Sequence, residues 1–221
     1  MPALAEPRTA ESHAGDPPAR GRRVRTGVSW TEYRALRADP ANRRLKLTYD
    51  GPAGGLLEIE MPQGLRHETV SRLVLLLVAA FAEERGLAVK AVGSVTQSRE
   101  DLERGLEGDE SFFVGDLSRL SEDWDLDRGD PPPDLSVEVD VTSPGVSKLP
   151  IYAALGVPEV WVWADEAITV RRLAGDGTYE VVGDSGELPG FPVAAAAAVI
   201  ARRGEAPHYD LLAEFRAAAA K

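Results

Sequence analysis

The stretch from Pro131 to Trp163, PPPDLSVEVDVTSPGVSKLPIYAALGVPEVWVW, constrains the fold most, because it alternates with period two, breaks, turns helical and then becomes extended again. Leu135, Val137, Val139 and Val141 alternate with Ser136, Glu138 and Asp140. A pleated strand therefore buries an aliphatic row on one face and aligns two carboxylates on the other. Thr142-Ser143-Pro144 signals a helix start, Lys148 to Leu155 is predicted as a short helix stopped by Gly156 and Val157-Pro158, and Val160 to Trp163 as a second strand. Such a strand, crossover helix and strand lie inside a sheet with both faces covered.

The rest of the chain fits a mixed α/β (α+β) domain. Ser29 caps a helix bearing Trp30, Tyr33 and Leu36. Leu45, Leu47 and Tyr49, the turn DGPAGG, and Leu57, Ile59 and Met61 form a hairpin, with Glu58 and Glu60 on its outer face. His67 to Arg85 is the strongest helix, and Leu75, Leu76 and Val78 widen its apolar stripe so far that it must be covered on several sides, by the sheet or by a partner chain in a homodimer. Strands are expected over Leu87 to Val95 and in the segment ending at Val114, with a polar loop around Trp124 in 116–130. Ala167 to Leu173 and Thr178 to Val182 make a second hairpin around AGDG, and a helix anchored by Leu212 and Phe215 closes the chain from Pro207. Residues 1–28, rich in Pro, Ala, Gly and Arg without periodicity, are expected to be a disordered tail, and 29–221 a single domain.

Composition removes several chemistries. There is no cysteine, so thiolate nucleophiles and cysteine-ligated zinc are excluded, and a reducing cytoplasmic location fits. No apolar run is long enough to span a bilayer, and no membrane partner is expected. Phosphate loops ending in Lys-Ser or Lys-Thr, HExxH and GxSxG are also missing. A net charge of -11 opposes general attraction to nucleic acid, but between Glu100 and Asp130 there are twelve acidic residues against three arginines, so much of the acidity is local.

What remains is a carboxylate chemistry. Metal-assisted hydrolysis of a phosphodiester needs carboxylates a few ångströms apart to hold Mg²⁺ or Mn²⁺, and a cation or base near the attacking water. Asp109, Glu138, Asp140 and Lys148 supply those residue types. The plainer reading makes Glu138 and Asp140 a solvated strand face and Lys148 an exposed helix residue. Its weakness is the crossover: carboxylates inside a doubly covered sheet need a metal or a cation beside them. His67, just before the long helix, suits capping or packing better than contact with a substrate, and Glu58 or Glu60 would reach a metal only from the side.

Three segments in order, GLEGDESFFV, PPPDLSVEVDVTS and KLPIYAALGVPEVWVW, resemble the signatures of the Uma family of restriction endonuclease-like proteins, a branch of the PD-(D/E)XK nuclease superfamily. The resemblance implies a mixed sheet flanked by helices, action on nucleic acid, chiefly DNA, and a metal held by Asp109 and Glu138. Two positions depart from the pattern: Gly108 stands where a proline is usual, and Asp140 where the superfamily lysine is expected. Lys148 on the following helix would then substitute for that lysine. If it does not, the alternative is an inactive nuclease fold that binds nucleic acid or protein.

Overall fold

The computed structural model describes residues 21–61, 63–140 and 147–220. Its core is a mixed six-stranded sheet in which β8 (Leu135–Val139) and β9 (Glu159–Ala164) run parallel. β8 and β9 are flanked by β7 (Glu110–Val114) and β4 (Val89–Ala91) on one side, and by β10 (Ala167–Leu173) and β11 (Tyr179–Val182) on the other. The crossover expected between β8 and β9 is α3 (Leu149–Leu155), with Gly156 in the left-handed region at φ 81 closing it. Val141 and the Thr142-Ser143-Pro144 signal lie outside the described residues.

Alternation along β8 and β9 decides what each face carries. Leu135, Val137, Val139, Trp161 and Trp163 pack under α2 (Leu65–Arg85), α4 (Val193–Ala201) and α5 (His208–Ala219). At roughly 1.5–3 kcal/mol per fully buried large apolar side chain, this layer is the main source of stability. Its centre is aromatic, with Phe191 at 4.8–5.4 Å centroid distance from Phe81, Trp161 and Phe215. The opposite face presents Val160 and Val162, which pack with Ile151, Tyr152 and Leu155 of α3.

A second sheet, wholly antiparallel, was not expected. It has the order β1-β3-β2-β6-β5, built from β1 (Arg22–Arg25), β2 (Lys46–Asp50), β3 (Leu56–Glu60), β5 (Thr96–Arg99) and β6 (Arg104–Glu107). Leu47, Tyr49 and Leu57 pack with Tyr33 of α1 (Trp30–Ala38), a helix opened by the anticipated capping box between Ser29 and Glu32. α3 also leans on β5 and β6, so it is wedged between the two sheets.

Several expectations change here. The tail placed over 1–28 stops short, because Arg22–Arg25 pairs antiparallel with β3; residues 1–20 lie outside the description. The strand drawn over Leu87 to Val95 shrinks to three residues. In α5 the deeper anchor beside Phe215 is Leu211, fully buried, rather than Leu212. Much of the apolar surface of α2 is covered by the chain's own α4, α5 and sheet, with Leu75 and Leu76 left half-buried. No helix among the described residues is long and apolar enough to cross a membrane.

Candidate active site

The two sheets meet over one cluster of charge. In β2 and β3 the alternation that buries Leu47, Tyr49 and Leu57 turns Lys46, Glu58 and Glu60 to the other face. Arg22 and Lys46 both stand opposite Glu60 in the strand register, so an arginine, a glutamate and a lysine form a row. Arg22 donates to Glu60 Oε1 at 2.6 Å and lies 2.9 Å from Glu58 Oε1. Glu58 and Glu60 are 1% and 5% exposed, which corrects the outer face assigned to them. Alternation separates two faces of a strand; it does not say whether the second meets water or another layer of protein.

Asp109 sits where the chain leaves β6 of one sheet for β7 of the other. Its backbone N–H donates to Val137 O at 3.1 Å, which sets it beside Glu138 on β8. One carboxylate oxygen, Oδ2, accepts from the Val139 N–H at 2.7 Å; the other, Oδ1, accepts from Lys46 Nζ at 2.5 Å and His67 Nε2 at 3.1 Å. Glu138 is arranged alike, with Oε1 accepting from the Tyr152 hydroxyl at 2.5 Å and Oε2 from Lys148 Nζ at 2.8 Å. Lys148 also lies 3.6 Å from Glu60 Oε2 and donates to Glu107 O at 3.4 Å. Gly108 is tight against this centre: a Cβ there would come within 2.5 Å of the Tyr152 hydroxyl and 3.6 Å of Glu138 Oε1.

The electrostatics follow from burial opposed by pairing. Burial works to raise the Asp109 carboxyl, but the His67 hydrogen bond and the charges of Lys46 and Lys148 hold it far below the usual carboxylate range. Burial raises Glu138, with Lys148 resisting and the neighbouring Asp109 charge adding to the rise. Lys148 is pressed down by burial yet ends well above an ordinary lysine, because Glu138, Asp109 and Glu60 surround it. It is a permanent cation. Burial also drives the Tyr152 hydroxyl well above the tyrosine range, helped by the charge of Glu138, so it acts as a donor.

Of the four residues singled out from sequence, Asp109, Glu138 and Lys148 come together. Asp140 is half-buried at the end of β8, where its charge acts on Arg22 alongside those of Glu60 and Glu58. Sequence reasoning missed Lys46 and Tyr152 and gave His67 a packing role. Tyr152 carried a usable signal, since it lies four residues after Lys148 and hence on the same helix face. Lys46 carried none.

Among the described residues no three His, Asp or Glu side chains converge into a ready metal cage. Magnesium does not require one, since it keeps several waters and is usually held by one or two carboxylates together with substrate phosphate. Asp109 Oδ1 and Glu138 Oε2 are hard donors, each paired with an ammonium, and these are the oxygens that would suit such an ion.

An α+β domain with one carboxylate on a central strand, a second just before the strand beside it and a lysine against the first is of the restriction endonuclease-like class. The Uma2 family model, described as "Putative restriction endonuclease", matches residues 30–196, well over half of the chain. The chain belongs to this family. No curated protein matches it.

Proposed function

We propose that the protein is a metal-dependent endonuclease that hydrolyses phosphodiester bonds of DNA. The observation that carries this reading is the 2.8 Å contact between Lys148 Nζ and Glu138 Oε2, which brings a lysine from the helix to the carboxylate whose own strand offers Asp140 instead. Asp109 and Glu138 would hold Mg²⁺ or Mn²⁺, and Asp140 would support the site from the end of β8. When bound, the cation supplies polarisation of the phosphate and a lowered pKa for water. Lys148, charged at any working pH, does not take a proton; it orients the attacking water by donating to it and offsets charge developing on the phosphate. Tyr152 and the Val139 N–H fix the two carboxylates in place.

The net acidity of the chain is offset locally. Arg23 and Arg25 on β1, on the face opposite Arg22, and Arg43 and Arg44 in the turn before β2 are exposed and suited to phosphate contacts. The proposed activity goes with the cytoplasmic location expected from sequence. The test is calorimetric titration of Mn²⁺ into the wild type and the Asp109→Ala/Glu138→Ala double variant, beside a plasmid-cleavage assay. Binding and cleavage that disappear together in the double variant support the reading.

One observation favours a second reading, a nuclease fold kept for binding nucleic acid or protein. Each of the two central carboxylates is already paired with one of the chain's own lysines, so neither needs an ion to offset its charge. A wild type that neither binds Mn²⁺ nor cleaves would establish that reading instead.

A further inference from the structure

The oxygens of the two central carboxylates fall into two kinds. Asp109 Oδ2 and Glu138 Oε1 are held by scaffold donors, the Val139 N–H in the sheet and the buried Tyr152 hydroxyl on α3. Those bonds set orientation and leave only if the fold does. Asp109 Oδ1 and Glu138 Oε2 instead each carry a lysine, and a lysine ammonium at the end of a four-carbon stem is free to swing. The two lysines are not equivalent. Lys148 is tied by Glu138, Glu60 and the Glu107 carbonyl, with 11% of its side chain exposed. Lys46 gives up only Asp109 Oδ1 and the Gly108 carbonyl, at 3.2 Å, and is 20% exposed.

Resting on the nuclease reading, we infer that Lys46 is a second active-site lysine, which occupies Asp109 until a divalent cation takes that carboxylate and then turns its ammonium to a phosphate of the substrate backbone. The physical argument is one of like charges. An ammonium 2.5 Å from Oδ1 stands where a cation bound to that oxygen would stand, and two positive charges at such a separation repel strongly outside bulk water. Lys46 has a way out. It opens β2 and its side chain is 20% exposed, so the ammonium can turn from Asp109 toward solvent and an arriving phosphate. The phosphodiester that arrives with the cation is an anion in need of a partner at that position. His67, the other donor to Oδ1, stays on the N-terminal turns of α2 and continues to orient Asp109.

The experiment titrates Mn²⁺ into the wild type, Lys46→Met and Lys46→Arg, with melting curves to establish folding and Lys46→Gln as a second neutral variant. It then measures binding of a phosphorothioate DNA duplex across a salt series, with and without Mn²⁺. The neutral variants should bind Mn²⁺ about three- to tenfold more tightly, as expected on removing one partly solvated competing charge. In Mn²⁺ their salt slope for DNA should fall by about one, the signature of one lost phosphate contact, with no such fall in its absence. Lys46→Arg should keep the wild-type values. Neutral variants that bind Mn²⁺ equally or more weakly, or whose salt slope does not change, would overturn the inference and make Lys46 a fixed wall of the site. A wild type whose Mn²⁺ binding does not depend on Asp109 and Glu138 would instead remove the nuclease reading, and this inference with it.

Discussion

Glu138 and Glu159 lie on adjacent strands of one sheet and are kept in opposite ways: Glu159 is fully buried, whereas the Glu138 side chain is 17% exposed. Glu159 is met only by fixed, neutral donors: Trp161 Nε1 at 2.7 Å, Ser185 Oγ at 2.5 Å and the Gly186 N–H at 2.7 Å, with Arg172 no closer than 4.0 Å. Ser185 in turn accepts from the Leu188 N–H at 2.9 Å, so Glu159 clasps the loop after β11 onto the aromatic core. Glu138 has one fixed partner and one ammonium. A carboxylate saturated by fixed neutral donors is a structural part, whereas one paired with an ammonium belongs to a network of charges that an added ion would perturb. The donors differ along with the burial, fixed and neutral around Glu159, partly ionic around Glu138.

Substitutions can break this contrast from either side. Lys148→Ala should reduce metal-dependent plasmid cleavage by about a hundredfold to a thousandfold, the range for removing a group that stabilises transition-state charge, while circular dichroism shows a folded protein. Cleavage retained in that variant would remove Lys148 from the site. Glu159→Ala should leave Mn²⁺ binding untouched but lower stability by about 2–3 kcal/mol, because buried donors lose their acceptor, and it should show as a lower melting temperature. If Glu159→Ala impaired metal binding as Glu138→Ala does, the division between clasp and site would fail. Tyr152→Phe removes a neutral donor from Glu138 and should slow cleavage about tenfold, with the ion still bound.

A smaller effect sharpens the electrostatic side. Folding depresses the Asp109 carboxyl, so on acidification the unfolded chain takes up that proton first. The stability Asp109 contributes is present above its unfolded value, near pH 4, and is lost as pH falls toward the folded one. Glu138, raised by burial, contributes with the opposite sign and offsets part of this loss. Asp109→Asn should therefore flatten the acid limb of a denaturant-midpoint profile.

Much of the centre was legible in the sequence because local pattern and tertiary role agree there. The alternation from Leu135 to Val139, the stop at Gly156 and the run to Trp163 do specify a parallel pair with its crossover. Asp109, Glu138 and Lys148 were singled out by residue type and resemblance, and the fold brings them together. What was missed depends on partners distant in the chain. Arg22–Arg25 is a strand only because β3 offers an edge, and nothing in RRVR itself favours burial. α4 is an alanine run entered at Pro192 without a side-chain cap, so it lacks the usual opening signal and is held by packing. Lys46 and Glu60 read as ordinary polar positions of a hairpin until a second sheet covers them. Asp140 departs from the superfamily pattern, and only the fold shows that Lys148 reaches Glu138 from the helix side.

The route of the chain between the sheets carries a further meaning. It builds β1 to β3 in one sheet, passes through α2 to lay β4 at the edge of the other, returns for β5 and β6, and crosses again at Gly108 and Asp109 into β7. The sheets are laced together, and no single cut separates them into two self-sufficient pieces. Neither sheet can therefore be exchanged as a contiguous segment, because any cut that removes one also removes strands of the other.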